Sequence, residues 1–216
     1  MKKHLLVLLC AVSMSYVSMA QSVSIGPRVG VNFATQKLSG DDDEVDEFND
    51  AVKSNTGLQA GLVLNLALND MFSIQPELLY AQKGFKLEEG DTKLTFKANY
   101  LEVPVLAKIA FGSETMQGFV TAGPTIGYWM NGKSEGTFLG EDLGSEDYDF
   151  DDTDNRLDLG ASVGVGIGYG VGPGILNLDV RYGFGLSSVY DGGDDDDTKV
   201  RNNVFGVSLA YLFGGR

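Results

Sequence analysis

The chain has 216 residues, 43% of them apolar and 10% aromatic, which is enough to build a core, but it carries one Cys and one His. It therefore has no disulfide framework and no Cys/His metal set. Its 16 Lys+Arg against 30 Asp+Glu give a formal charge of -14, which argues against nucleic acid and anionic lipid as partners.

The first residues run Met1-Lys2-Lys3, then an apolar stretch from Leu5 to Val12, then Ser18-Met19-Ala20. A positive start, a short apolar core and a small-x-small site predict a secretory signal peptide over 1–20, cleaved after Ala20. The apolar core is too short to span a bilayer as a helix. A retained anchor and a lipoprotein cut before Cys10 are the alternatives, although Leu9 stands where the lipoprotein cut wants a small residue. Cleavage removes His4 and Cys10 together with Lys2 and Lys3, and the formal charge becomes -16. Residues 21–216 show no linker or break in composition and read as a single domain.

Period-two alternation predicts eight strands, near 23–34, 56–68, 71–86, 94–110, 116–131, 156–170, 175–188 and 201–213. In the second, Leu58, Leu62, Leu64 and Leu66 alternate with Gln59, Gly61, Val63 and Asn65. In the sixth, Leu159, Val163, Val165 and Ile167 alternate with Gly160, Gly164, Gly166 and Gly168. The seventh sets Leu176, Leu178, Val180 and Tyr182 against Asn177, Asp179, Arg181 and Gly183. Such runs reach the roughly 9–11 residues that a tilted strand needs to cross a bilayer. The fourth strand fits least well, because Phe96 is out of phase with Leu101 to Ile109, and a bulge near Tyr100 would reconcile them.

Connections alternate in length. Short turns fall at Asn69-Asp70, at 111–115 and at Val171-Gly172-Pro173-Gly174, and longer ones at 35–55, 87–93, 132–155 and 189–200. Outer-membrane barrels place short turns in the periplasm and long loops outside. The longer connections hold 24 of the 30 carboxylates, with Asp41-Asp42-Asp43-Glu44 and Asp194-Asp195-Asp196-Asp197 the densest runs. Like charges at this density resist collapse, so these loops are expected to be solvated and mobile. The fold class that follows is all-β, an eight-stranded antiparallel up-and-down transmembrane barrel.

The polar face of these strands is mostly Gly, Ser and Asn, which suits a narrow lumen better than a solvated surface. It also carries Arg28, Lys83, Lys108 and Arg181 against Glu77, Glu102, Asp158 and Asp179. Unpaired charges in so dry a space are costly, so equal numbers predict an internal network of ion pairs, read as structural. An ion path through the lumen is the functional alternative. Phe72, Tyr80, Phe119, Tyr128, Tyr169, Tyr211 and Phe213 fall near strand ends, where interfacial girdles would lie. A soluble lipocalin-like binder stays open at this point, and it would need the Leu-rich face inside.

Asp147, Asp149, Asp151 and Asp158 match positions 1, 3, 5 and 12 of a calcium loop, but Asp152 stands where that loop needs Gly. They are weak calcium candidates. No cofactor motif appears, since the Gly-rich run from Gly160 to Gly174 has period two and no P-loop Lys.

Several motifs recur in a familiar order: Ile25-Gly26-Pro27-Arg28-Val29-Gly30-Val31-Asn32, Gln75-Pro76-Glu77-Leu78-Leu79-Tyr80 with Lys83-Gly84, and Tyr100-Leu101-Glu102-Val103-Pro104-Val105-Leu106. Gly123-Pro124, Arg181-Tyr182-Gly183-Phe184-Gly185-Leu186 and Tyr211-Leu212-Phe213 continue the series. The pattern resembles the PorT-like outer-membrane β-barrel family of Bacteroidetes across residues 21–216. A departure is Gly214-Gly215-Arg216 after Phe213, because strands read by the insertion machinery often end on the aromatic. The resemblance implies an integral outer-membrane location, contact with outer-membrane lipid and the barrel insertion machinery, and surface or secretion-apparatus partners.

Enzymes among such barrels, the lipid A deacylases and omptin-like proteases, use a His-containing site. After Ala20 no side chain remains that titrates near neutral pH unperturbed, so a non-catalytic role is expected. A structural or surface-interaction role leads. A narrow pore and a secretion component are the rivals.

Overall fold

The computed structural model describes residues 22–40, 48–113, 115–139, 141–151, 154–190 and 199–214. The expected signal peptide and the acidic runs at 41–47 and 191–198 lie outside the described residues. The strands are β1 (Ser22–Ser39), β2 (Val52–Ala67), β3 (Phe72–Glu89), β4 (Thr92–Gly112), β5 (Met116–Phe138), β6 (Glu141–Asp147), β7 (Leu157–Val171), β8 (Gly174–Gly185) and β9 (Lys199–Phe213).

Eight of them close a ring in the order β1-β2-β3-β4-β5-β7-β8-β9, with β9 paired back onto β1. All pairings are antiparallel. β6 lies outside the ring, paired with residues 133–138 of β5. Closure leaves the ring without a free edge, which is how a strand ladder satisfies its backbone groups in lipid. Among the described residues no helix is long and apolar enough to cross a membrane.

Alternation sets the two faces. Leu58 and Val165 point outward at 61% and 59% exposure, in company with Val29, Leu62, Ile126 and Ile167. Ser24, Arg28, Asn32, Gln75, Glu77, Asp179, Asn202 and Ser208 are buried on the inside. The Leu-rich face is thus the outer one, the reverse of what a soluble lipocalin-like barrel requires. Phe72, Tyr80, Tyr128, Tyr169 and Phe213 are exposed on this outer face, as the girdle reading expected. Phe119 is not. It turns inward and is 2% exposed, because Gly166 leaves room for its ring: a Cβ there would lie 2.3 Å from Phe119.

The irregularity expected near Tyr100 exists, but the extra residue sits on the neighbouring strand. The β4–β5 register runs Asn99↔Asn131 and then Tyr100↔Trp129, which leaves Met130 of β5 unpaired. The β3–β4 register is continuous through this region, so Phe96 keeps the phase of Tyr100 and faces inward. Its neighbours there are aromatic, which is why an apolar residue suits the lumen side.

Above the apolar belt, Gln82, Asn99 and Asn131 form a side-chain ladder across β3, β4 and β5, with hydrogen bonds of 3.2 and 2.6 Å. Beyond it β3 to β6 continue as an extension of the wall, with Val52–Ser54 of β2 paired along β3. Residues 132–147, expected as loop, are therefore mostly strand. Lysines on the neighbouring strands offset the acids: Lys97 pairs with Glu135 at 2.7 Å, Lys133 with Asp147 at 3.4 Å and Lys53 with Glu88 at 2.6 Å.

Gly84 combines a positive φ of 136° with a backbone approach so close that a Cβ would lie 2.0 Å from the Phe96 carbonyl oxygen. Gly183 has no atom nearer than 3.9 Å to the same position. Gly84→Ala should lower stability by about 1–3 kcal/mol, as strained backbone does, whereas Gly183→Ala should change it by less than about 0.5 kcal/mol. Urea unfolding of the lipid-reconstituted barrel reads both.

Candidate functional site

Within the lumen, strands distant in sequence bring charge together. In its middle, β1 supplies Arg28, β3 Glu77, β8 Asp179 and Arg181, and β9 Ser208. Arg28 donates to both oxygens of Asp179, Nη1 to Oδ1 at 3.0 Å and Nη2 to Oδ2 at 2.7 Å. It also donates to Ser208 Oγ at 2.6 Å. Arg181 forks onto Glu77 at 2.9 and 3.1 Å, and Gln75 Nε2 donates to Glu77 Oε1 at 2.6 Å. Arg28 also approaches Glu77 at 3.5 Å, and Arg181 approaches Asp179 at 3.7 Å. The Glu77 side chain is 0% exposed, so this bidentate geometry is what makes its burial tolerable.

A second cluster lies toward the long-loop end. Lys83 Nζ meets Glu102 Oε1 at 2.6 Å and Asp158 Oδ2 at 2.9 Å. Asn202 Nδ2 donates to Asp158 at 2.9 Å and to the Tyr100 hydroxyl at 3.2 Å, and the Lys83 ammonium sits 4.5 Å over the Tyr100 ring. A cavity of about 60 Å³ borders both clusters and is lined by Lys83, Glu102, Asp158 and Arg181 together with Gly160, Gly183 and Gly206. It has room for a few waters.

Aromatic rings roof the outer end. Trp129 stacks on Tyr148 at 5.1 Å and meets Phe150 edge-on at 4.8 Å, while Phe96 contacts Trp129 at 5.8 Å and Tyr148 at 5.4 Å. Phe85 and Phe48 extend the cluster. Tyr148 and Phe150 belong to the segment after β6, which Arg156 fastens over the mouth. Its guanidinium donates to the Trp129 and Met130 carbonyls at 3.0 and 3.1 Å and stacks 4.1 Å from Phe150. The Tyr148 hydroxyl donates to Asp154 Oδ1 at 2.9 Å. Burial and the adjacent Asp154 carboxylate push the Tyr148 phenol up to about 12.

Seven of the eight lumen charges singled out in the sequence thus meet in two clusters: Arg28, Glu77, Asp179 and Arg181 in one, Lys83, Glu102 and Asp158 in the other. Lys108 joins neither. It faces the lumen near the short-turn end, with its ammonium 4.1 Å over the Phe119 ring. It lies beyond ion-pair distance of their carboxylates, because β4 places it below the level of both clusters. The calcium spacing is not realised either. Asp158 lies on β7 with lumen phase and is held by Lys83, whereas Asp147 pairs with Lys133 on the outer extension. Asp149 and Asp151 lie between β6 and β7, and Asp152 is outside the described residues. Among the described residues no group of three acidic, His or Cys side chains could hold a metal ion.

Sequence reasoning missed Tyr100, Asn202 and Ser208 as partners, although the last two share the polar phase of β9. It missed the Trp129 roof, since nothing local ties Trp129 to Tyr148.

The family model for the outer membrane protein beta-barrel domain matches residues 19–191. Among solved structures, the chain is similar to the outer membrane protein OprG from Pseudomonas aeruginosa, at 13% identity and a TM-score of 0.52, covering 92% of this chain and 97% of that one. It is also similar to Ail, the attachment invasion locus protein of Yersinia pestis, at 17% identity and a TM-score of 0.44, covering 90% and 100%. The outer membrane protease OmpT from Escherichia coli follows at 12% identity and a TM-score of 0.37, covering 91% and 97%. At these identities the likeness is one of fold. No curated protein matches the sequence.

Arg28→Met strands Asp179 without its fork and should cost about 3–5 kcal/mol. Adding Asp179→Leu should recover much of that loss in the same urea titration, because the uncompensated carboxylate is then gone. For the roof, the raised Tyr148 phenol contributes stability that is complete below the ordinary tyrosine range near 10 and is lost as pH rises toward about 12. Protease cleavage within 148–156 should accelerate across that window in the natural chain. Tyr148→Phe should remove the Tyr148 contribution to this pH dependence.

Proposed function

Because the chain belongs to the family of outer membrane protein beta-barrel domains, we propose that it is a non-catalytic surface protein, a filled barrel that holds acidic hairpins and loops outside the cell. The observation that carries this reading is closure. The Arg28–Asp179 and Arg181–Glu77 forks span the lumen, and the aromatic roof covers its outer mouth. Eight strands leave an interior that side chains can fill, which supports a barrel without an aqueous channel. The absence of His after Ala20 supports a role without acid-base catalysis near neutral pH. The concentration of carboxylates in the outer connections favours partners with cationic surfaces.

A place in a protein-secretion apparatus is the second reading. It rests on the PorT-like motifs in β3 and β4, and a vestibule of about 840 Å³ at the short-turn end favours it by offering a periplasmic partner a concave surface.

Reconstitution in a planar bilayer should give no stepwise conductance, and steady single-channel steps would overturn closure in favour of a narrow pore. In cells displaying the barrel, replacing Asp194–Asp197 by Ser should weaken retention of a polylysine probe. Unchanged retention would remove the acidic-surface role, and crosslinking to periplasmic proteins would then favour the secretion reading.

A further inference from the structure

Charge in the lumen is not evenly matched along its length. The middle cluster is neutral by itself, with Arg28 and Arg181 against Glu77 and Asp179. The cluster nearer the outside carries two carboxylates against Lys83. Toward the short turns the only buried charge among the described residues is Lys108, and it has no ion pair there. A desolvated ammonium with no carboxylate at ion-pair distance is costly, and the Phe119 ring near it compensates only in part. The Phe119 ring occupies the space left by Gly166 and holds the ammonium in place.

Lys108 is 5% exposed and forms part of the wall of the vestibule at the short-turn end, which is periplasmic in barrels of this architecture. Ser24, Asn65, Ser73, Gln117 and Asn177 line the same space, and its volume is that of a small-ligand site. The one carboxylate on the described wall is Asp70, at the tip of the first short turn.

We propose that this vestibule binds a carboxylate presented from the periplasm, with the anionic head on Lys108 Nζ and the rest of the ligand along the hydroxyl and amide side chains. One lysine neutralises a monoanion but leaves a phosphate dianion half unmatched beside the Asp179 and Asp70 carboxylates. Ser, Asn and Gln side chains both donate and accept, which suits the alternating N–H and C=O groups of a peptide. The inference depends only on the lumen geometry and holds for either reading of the protein's role.

The test is calorimetric titration of the reconstituted barrel with three probes: sodium acetate, an acetylated alanine tripeptide with a free C-terminus, and the same tripeptide amidated. Both carboxylates should bind saturably and shift the Lys108 side-chain resonance, and the amide should not bind. Lys108→Met, an apolar side chain of similar length, should keep the folded gel mobility and weaken carboxylate binding roughly tenfold or more, the scale of a charge-assisted hydrogen bond. Tighter binding of the free-acid tripeptide than of acetate would identify a chain end as the ligand, and equal binding a small free carboxylate. No saturable carboxylate binding, equal binding of the amide, or undiminished binding by the folded Lys108→Met variant would overturn the proposal.

Discussion

An eight-stranded ring encloses a space just wide enough to be filled by side chains, and this one gives its apolar face to lipid. Polar groups must then occupy a dry interior, where each charge needs a partner at hydrogen-bond distance. The forks from Arg28 to Asp179 and from Arg181 to Glu77 meet that requirement across the middle of the barrel. They tie β1, β3 and β8 together through the lumen, in addition to the backbone ladder that links neighbours around the wall. The same pairs that make burial of charge tolerable also span the lumen.

Parity made most of this legible in the sequence. A strand with Leu58, Leu62 and Leu66 in one phase and Gln59 and Asn65 in the other has one reading once the ring is closed, and the eight lumen charges follow from the same rule. Which charge meets which does not follow. Arg28 and Asp179 are 151 residues apart and Arg181 and Glu77 are 104 apart, and their meeting depends on the stagger of strands around the ring. Lys108 shows the limit most clearly. Its phase is readable, but its level along the axis, below the carboxylates of both clusters, is a property of the closed barrel. Phe96 misled for a related reason: the extra residue lies at Met130, on the strand beside it, and a period count along β4 alone has no access to that.

The outer connections carried a second ambiguity. Composition alone reads 132–155 as a repulsive acidic loop, yet β6 pairs along β5 there. Lys97 and Lys133 stand beside Glu135 and Asp147, and the underside is lined by rings that exclude water. A tally of acids cannot register lysines that arrive from β4 and β5, nor the anchoring of Tyr148 and Phe150 under Arg156. Surface ion pairs of this sort contribute little individually, so the aromatic packing is the larger share of what keeps the extension ordered.

The two ends of the barrel consequently differ in kind. The outer end is roofed by rings and rimmed with acids, whereas the short-turn end is hollow and holds an ammonium with no carboxylate at ion-pair distance. Between them lie buried ion pairs whose separation would leave charges uncompensated. β4 nevertheless reaches from one end to the other. It carries Lys108 at the vestibule, Glu102 and Tyr100 in the upper cluster, and Phe96 under the roof. A shift of that strand against β3 or β5 would disturb all three levels together, so the physical link between the ends is the stagger of the wall rather than the space it encloses.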